Sequence, residues 1–373
     1  MPTQMTHARF HRLENLTVKQ LRTLDRQHTV VLLPIGMVEE HGDHLPLGTD
    51  TFAVEAICMA AGSWLLDSYQ DVQIVMLPTM PYGVDPIDDH RPDLFTTAGS
   101  VWISRTTLKA LVVEVLSHMV RFGFKYIFPV GFHGGPDQSV VLDEVCTELR
   151  DANPDLVIYE PMGYVMAGAE KEMSPGIATL LGRPLTAKEE VALKTSIHAS
   201  MFETSVMLHL RPDLVDRNYK NLRTIEWREM FELPDWPGYT GAGPSHSDPD
   251  VGGAVLRWRG VRAGSLIHRA MFGEDLTQLL RHPKWMQEPI LEAEIPEIVK
   301  DAPHNPIIDS NPVVSMDGDK VRERVAEVLG GSQDETRTTH DDDTPPAGVP
   351  KTEPKLARPV VPDQNSPLGD SSA

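Results

Sequence analysis

Short apolar runs recur along the first half of the chain and alternate with segments of helical character. Val30-Val31-Leu32-Leu33-Pro34-Ile35-Gly36 is followed by Val72-Gln73-Ile74-Val75-Met76-Leu77, Lys125-Tyr126-Ile127-Phe128-Pro129-Val130 and Leu156-Val157-Ile158-Tyr159. Runs this short and this apolar predict strands buried on both faces. Between them, Thr107 to Val113 and Asp137 to Leu149 predict helices. The alternation predicts an α/β fold with a mostly parallel sheet covered by helices. One domain over residues 1–285 is the economical reading, with a partly helical C-terminal extension over 286–330. From 331 to 373 the chain is acidic and rich in Pro and Ser, as in Asp341-Asp342-Asp343-Thr344-Pro345-Pro346. So little apolar surface cannot offset ordering entropy, and a disordered tail is expected. The Gly- and aromatic-containing stretch from Leu233 to Pro249 admits three readings: an active-site lid, a subunit contact or a plain surface loop.

Composition narrows the function classes. A formal net charge of −20 over 373 residues opposes nonspecific attraction to nucleic acid or anionic lipid. No run is long enough to cross a bilayer, and the first ten residues lack the apolar core of a signal peptide. No nucleic-acid or membrane partner is therefore expected, and the location is expected to be cytoplasmic. Cys58 and Cys146 lie far apart in apolar helical stretches and read as small core residues of a protein in a reducing compartment.

The chemistry-bearing residues gather where predicted strands end, which is where ligands bind in open α/β sheets. The first strand runs into Glu39-Glu40-His41-Gly42-Asp43-His44-Leu45-Pro46-Leu47-Gly48-Thr49-Asp50. Glu39 and His41, one residue apart, project to one side of an extended segment. Asp50 follows a Leu-Pro-Leu-Gly turn that can fold the chain back, and its two carboxylate oxygens can bridge two cations. Imidazole and carboxylate without thiolate suit Zn, Mn or Fe(II), and the choice among them stays open. The third strand runs into Gly131-Phe132-His133-Gly134-Gly135-Pro136, whose glycines permit a tight turn beside His133. A third cluster is Ser196-Ile197-His198-Ala199-Ser200-Met201-Phe202-Glu203-Thr204-Ser205. Five positions do not share a helical face, so His198 must stand at a helix entrance to meet Glu203. Taken alone, Ser200 and Glu203 read equally well as the reciprocal capping pair of an ordinary helix.

Together the three clusters resemble the creatininase (creatinine amidohydrolase) family. The resemblance rests on Gly36-x-x-Glu39-x-His41-Gly42-x-His44-Leu45-Pro46-x-x-x-Asp50, on Gly131-Phe132-His133-Gly134-Gly135 and on His198-Ala199-x-x-x-Glu203-Thr204-Ser205, within about residues 20–275. It implies a three-layer α/β/α fold, two divalent ions (Zn, Mn or Fe) per subunit and homo-oligomeric assembly. By position, Glu39 and His133 would hold one ion, His41 the other, and Asp50 would bridge them. The family carries a glutamate two residues after the histidine matching His133, where this chain has Gly135; Glu203 is the candidate replacement as fifth ligand. His198 matches the family's general acid/base histidine, and His44 and His90 are expected to face the substrate or support the ligands. The chain departs from the family pattern at Glu40, Asp43, Gly131 and Pro136, positions expected to line the rim and to bear on the substrate rather than the metals.

The activity implied is metal-assisted hydrolysis of a C–N bond in a small cyclic amide or other amide. Ring opening of a lactone or a cyclic polyol ketone on the same centre is a second expectation. A third is a non-catalytic binding protein on this scaffold, its tail recruiting a partner.

Overall fold

The computed structural model describes residues 8–87 and 99–281. The expected extension over 286–330, the expected tail over 331–373 and His90 lie outside the described residues. All described residues fall in one compact unit.

Alternation within each apolar run decides the layering. In β2 (Thr29–Ile35) every residue is buried. Val30 and Leu32 pack into one core, Val31, Leu33 and Ile35 into another on the opposite face. β3 (Gln73–Met76) repeats this, with Ile74 and Met76 on the first face and Val75 on the second. In β4 (Tyr126–Gly131), Phe128 and Val130 face the first core and Ile127 the second. A strand with both sides apolar must be covered on both sides. Two helical layers do so: α2 (Thr49–Ser68), α5 (Met162–Leu181), α7 (Met201–Leu210) and α9 (Pro249–Met271) on the first face, α3 (Arg105–Arg121) and α4 (Pro136–Ala152) on the second.

Adding β1 (Phe10–Arg12) and β5 (Val157–Ile158), the sheet has the order β1-β3-β2-β4-β5. All four pairings are parallel, so β2 and β4 are neighbours at the centre and both end at the same edge, Ile35 opposite Gly131. The expected α/β class with a mostly parallel sheet is what the chain adopts.

Three features depart from the sequence reading. β1 adds an edge strand in a segment read only for the absence of a leader. A second, two-stranded antiparallel sheet joins β6 (Ser196–His198) to β7 (Thr240–Gly241). The Leu233–Pro249 stretch is not a plain surface loop: it contains β7, and Trp236, Tyr239, Thr240 and Ala242 are buried. The indole N–H of Trp236 donates to the Tyr239 carbonyl at 2.9 Å, so the segment is braced from within as well as paired to β6. Cys58 and Cys146 are free and buried, as expected of core residues. Among the described residues, no helix is long and apolar enough to cross a membrane.

Candidate metal centre

Five separate elements deliver the acidic and imidazole side chains to one edge of the sheet. Glu39 and His41 follow β2, and the loop after them closes when the Glu39 amide donates to the Leu47 carbonyl at 2.9 Å. This returns the chain so that Asp50 occupies the first turn of α2, while His133 stands two residues past β4. His198 ends β6, and Glu203 lies in the first turn of α7. The helix entrance required of His198 is therefore present.

Backbone strain makes that entrance tight. Ala199, between His198 and α7, takes a left-handed φ of 46°, a conformation that a non-glycine residue adopts at a cost. Its amide donates to Glu203 Oε2 at 2.5 Å. The capping-pair reading of Ser200 and Glu203 is thereby overturned: Ser200 makes no side-chain cap, and its hydroxyl accepts instead from the Ile197 amide. Asp85, in a second left-handed conformation with φ 65°, lies against His133.

The donor atoms form two adjoining groups. Glu39, Asp50 and His133 make one, and His41, Asp50 and Glu203 the other, each with ligand atoms within 4.8 Å of one another. His133 Nδ1 lies 2.8 Å from Glu39 Oε2 and 3.3 Å from Asp50 Oδ2; His41 Nε2 lies 3.6 Å from Asp50 Oδ1 and 3.7 Å from Glu203 Oε2. Asp50 thus turns one oxygen to each group. His41 Nε2 and Asp50 Oδ2 are buried without a hydrogen-bond partner, as atoms that would otherwise bind an ion are. Each imidazole is also set for metal at one nitrogen. His41 Nδ1 donates to the Glu39 carbonyl at 3.0 Å and His133 Nε2 to the Asp85 carbonyl at 2.9 Å, which leaves His41 Nε2 and His133 Nδ1 as lone-pair donors. Orphaned atoms, tautomers and a hard, thiolate-free donor set all fit divalent ions.

Gly135 cannot stand in as a ligand, and a side chain there has no room: a Cβ would overlap the His133 ring and the Asp85 carbonyl. Glu203 occupies the place suggested for it, beside His41 and Asp50. His198 Nε2 donates to the Glu40 carbonyl at 2.7 Å, and its ring lies 4.5 Å from that of His41 and 6.4 Å from that of Trp236. Glu39, His41 and His198 form a third group of close donor atoms. His44 is buried, bonded through Nε2 to the Thr204 hydroxyl at 3.0 Å, with its ring edge-on to Tyr239. That placement sets His44 against the first turn of α7.

Of the four positions expected at the rim, Asp43 and Pro136 are exposed, whereas Glu40 and Gly131 are buried. Glu40 is held inside because its Oε1 accepts from the Gly42 amide at 2.6 Å, and its Oε2 stands 3.8 Å from His198. Glu160 was not singled out in the sequence, where it is one carboxylate after an apolar run. Buried at the start of α5, it accepts from the amides of Gly131, Met162 and Gly163, tying the end of β4 to that helix.

Electrostatics in the metal-free cluster follow from packing opposite charges in a dry place. Burial disfavours a charged His41, but Asp50, Glu203 and Glu39 outweigh it and lift its pKa to about 10. Burial likewise opposes charge on His133, and Glu39 and Asp50 overcome it, raising it well above the usual value. Asp50 is held below the carboxylate range, its burial outweighed by His41 and His133. Burial, aided by the charges of His41 and His198, drives His44 down to about 3, and burial lifts Glu160 to about 7 against its three amide donors. A group raised in the folded state stabilises it fully below the unfolded value, about 6.5 for histidine, and that contribution is lost as pH rises through the folded value. The metal-free protein is therefore expected to lose thermal stability between pH 7 and about 10 as His41 gives up its proton. With divalent ions in the proton's place this decline should be absent. Melting curves of chelated and metal-loaded protein across that window check it, and identical slopes would refute it.

A family model described as creatinine amidohydrolase matches residues 14–251, more than half of the chain. The chain is 25% identical over 195 residues to a creatinine amidohydrolase of Pseudomonas putida, covering 50% of this chain and 66% of that protein. It is 27% identical over 197 residues to a mycofactocin precursor peptide peptidase of Mycolicibacterium smegmatis, covering 52% of this chain and 62% of that protein. The matches thus span less than two thirds of these relatives' own length. A solved creatininase whose name specifies manganese aligns with a TM-score of 0.50 and 19% identity over 70% of this chain and 99% of that one, a likeness of fold.

Proposed function

The chain belongs to the creatininase family, and we propose that it is a two-metal hydrolase cleaving a C–N bond in a small cyclic amide, a formamide or a peptide-like amide. The observation that carries this reading is Asp50, whose two oxygens address His133 on one side and His41 on the other within a buried cluster. Glu39, Asp50 and His133 would hold one ion, and His41, Asp50 and Glu203 the second. Bound there, divalent ions would supply Lewis acidity towards a carbonyl oxygen and make a water acidic enough to ionise near neutral pH.

The remaining work falls to the protein. Because His198 Nε2 donates to the Glu40 carbonyl, its Nδ1 is free to accept a proton and to return it to the departing nitrogen. The Glu40 carbonyl keeps that tautomer in place, as an orienting acceptor does for a catalytic imidazole. Trp236 and Tyr239 wall the same side with apolar surface and limit the entry of bulk water. His44, through Thr204, fixes the start of the helix that presents Glu203. The names of two relatives, an amidohydrolase and a peptidase, favour the amide bond over a lactone or ketone.

Metal analysis and turnover test this together. Purified protein is expected to carry about two divalent ions per chain, to lose turnover on chelation and to regain it when Zn, Mn or Fe(II) is restored. A screen of cyclic amides, formamides, short peptides, lactones and cyclic polyol ketones identifies the bond. Full amide turnover by the chelated protein would sink the metal reading; turnover of lactones or ketones alone would sink the amide reading.

A further inference from the structure

Arg259 lies on α9 and is only 6% exposed, yet its Nε has no hydrogen-bond partner, and among the described residues its guanidinium forms no ion pair. Its partners are two ring faces. The guanidinium carbon stands 4.4 Å from the Phe202 centroid and 5.1 Å from that of Phe132, and the two rings stack 6.3 Å apart at 15°. Phe132 immediately precedes His133, and Phe202 immediately precedes Glu203. The cation therefore lies against the residue that follows β4 and the first turn of α7, the segments that carry the candidate ligands His133 and Glu203.

The energetics of that position are unbalanced. Leaving a charge buried and unpaired is costly, and a cation over an aromatic face recovers only part of that cost when desolvated. Arg9 shows what a satisfied guanidinium looks like here: it donates to the carbonyls of Leu66, Tyr69, Gln70 and Val72 at the end of α2. Arg259 has no such set. Burial lowers its pKa only to about 10, with Glu203 opposing the shift, so it keeps its charge at neutral pH. The planar fork of Arg matches a carboxylate with two parallel hydrogen bonds.

We infer that Arg259 is a specificity-determining residue that receives a carboxylate carried by the substrate, so that the preferred amides are anionic, as in an N-acyl amino acid or a peptide end. This deepens the amide-hydrolase reading and rests on it. A neutral cyclic amide would leave the guanidinium unpaired and should be a poorer ligand.

Calorimetric titration of the full-length protein, metal-loaded and chelated, with N-benzoylglycine and its uncharged amide N-benzoylglycinamide tests the assignment. Wild-type protein is expected to prefer the carboxylate at least tenfold in both forms. Arg259→Met should reduce that preference to less than twofold while metal content and far-UV circular dichroism stay unchanged. Arg259→Lys keeps the charge but not the fork, and its preference should fall severalfold; it also decides the matter should the Met variant fail to fold. An equal affinity of wild type for both probes overturns the assignment, as does an undiminished preference in either variant, which would place the carboxylate on the metals. Metal content is read separately, so a protein that keeps the preference but holds no metal would refute the hydrolase reading and leave the anion site standing.

Discussion

Asp50→Ala is expected to empty the centre, reducing bound metal from about two ions per chain to fewer than one and turnover on the order of 10³-fold or more. The reason is geometric. Asp50 is the one carboxylate shared by both donor groups, with Oδ1 towards His41 and Oδ2 towards His133. Its removal takes a ligand from each ion and leaves two dications with less negative charge between them. Asp50→Asn keeps one oxygen and loses the charge, so it should retain at most about one ion. His133→Ala removes a ligand from the first group only and should leave the His41 side able to bind weakly. Elemental analysis beside activity measurement separates these cases, and an Asp50→Ala protein with two ions and full turnover would end the two-metal proposal.

For His198→Ala the expected signature is different: kcat falls by about 10²–10⁴, with both ions retained and KM little changed. His198 is anchored by the Glu40 carbonyl and lies within ring contact of His41. It also falls in a donor group with Glu39 and His41, so a role as ligand makes a competing demand. Metal content decides between them, because loss of a ligand releases an ion and loss of a proton carrier does not. In the metal-free cluster burial opposes charge on His198, and Glu39, Glu40 and Glu203 overcome it to raise its pKa. Divalent ions beside it would push the other way. The limb of the kcat pH profile that belongs to His198 should vanish in the variant; its persistence would assign that limb to another group.

Much of this candidate centre was legible in the chain because its candidate ligands follow strand ends and carry their spacing with them. Glu39 and His41 sit one residue apart after an apolar run, and His133 stands between glycines after another. Glu203 was harder. Its distance of five residues from His198 excludes a shared helical face, and only the left-handed turn at Ala199 brings both inward. Trp236 and Tyr239 were hidden for a related reason: a stretch rich in Gly and Pro reads as a loop, and its burial depends on pairing with β6, over forty positions earlier. Glu40 gave the opposite error. A glutamate in a polar run reads as solvated, but the Gly42 amide holds it inside. Arg259 offered no signal, since one arginine in an amphipathic helix is ordinarily exposed.

What the chain determines by itself is local: two-sided apolar strands that demand helices on both faces, and the order of carboxylates and imidazoles where those strands end. Periodicity and spacing are properties of neighbouring residues, and they survive in one dimension. Tertiary structure alone decided that Trp236 and Tyr239 are buried beside β6, that Glu40 turns inward onto the Gly42 amide, and that a guanidinium is buried against Phe132 and Phe202. Those outcomes depend on which helix packs beside which strand, and distance through space between residues far apart in the chain is not written in any local pattern.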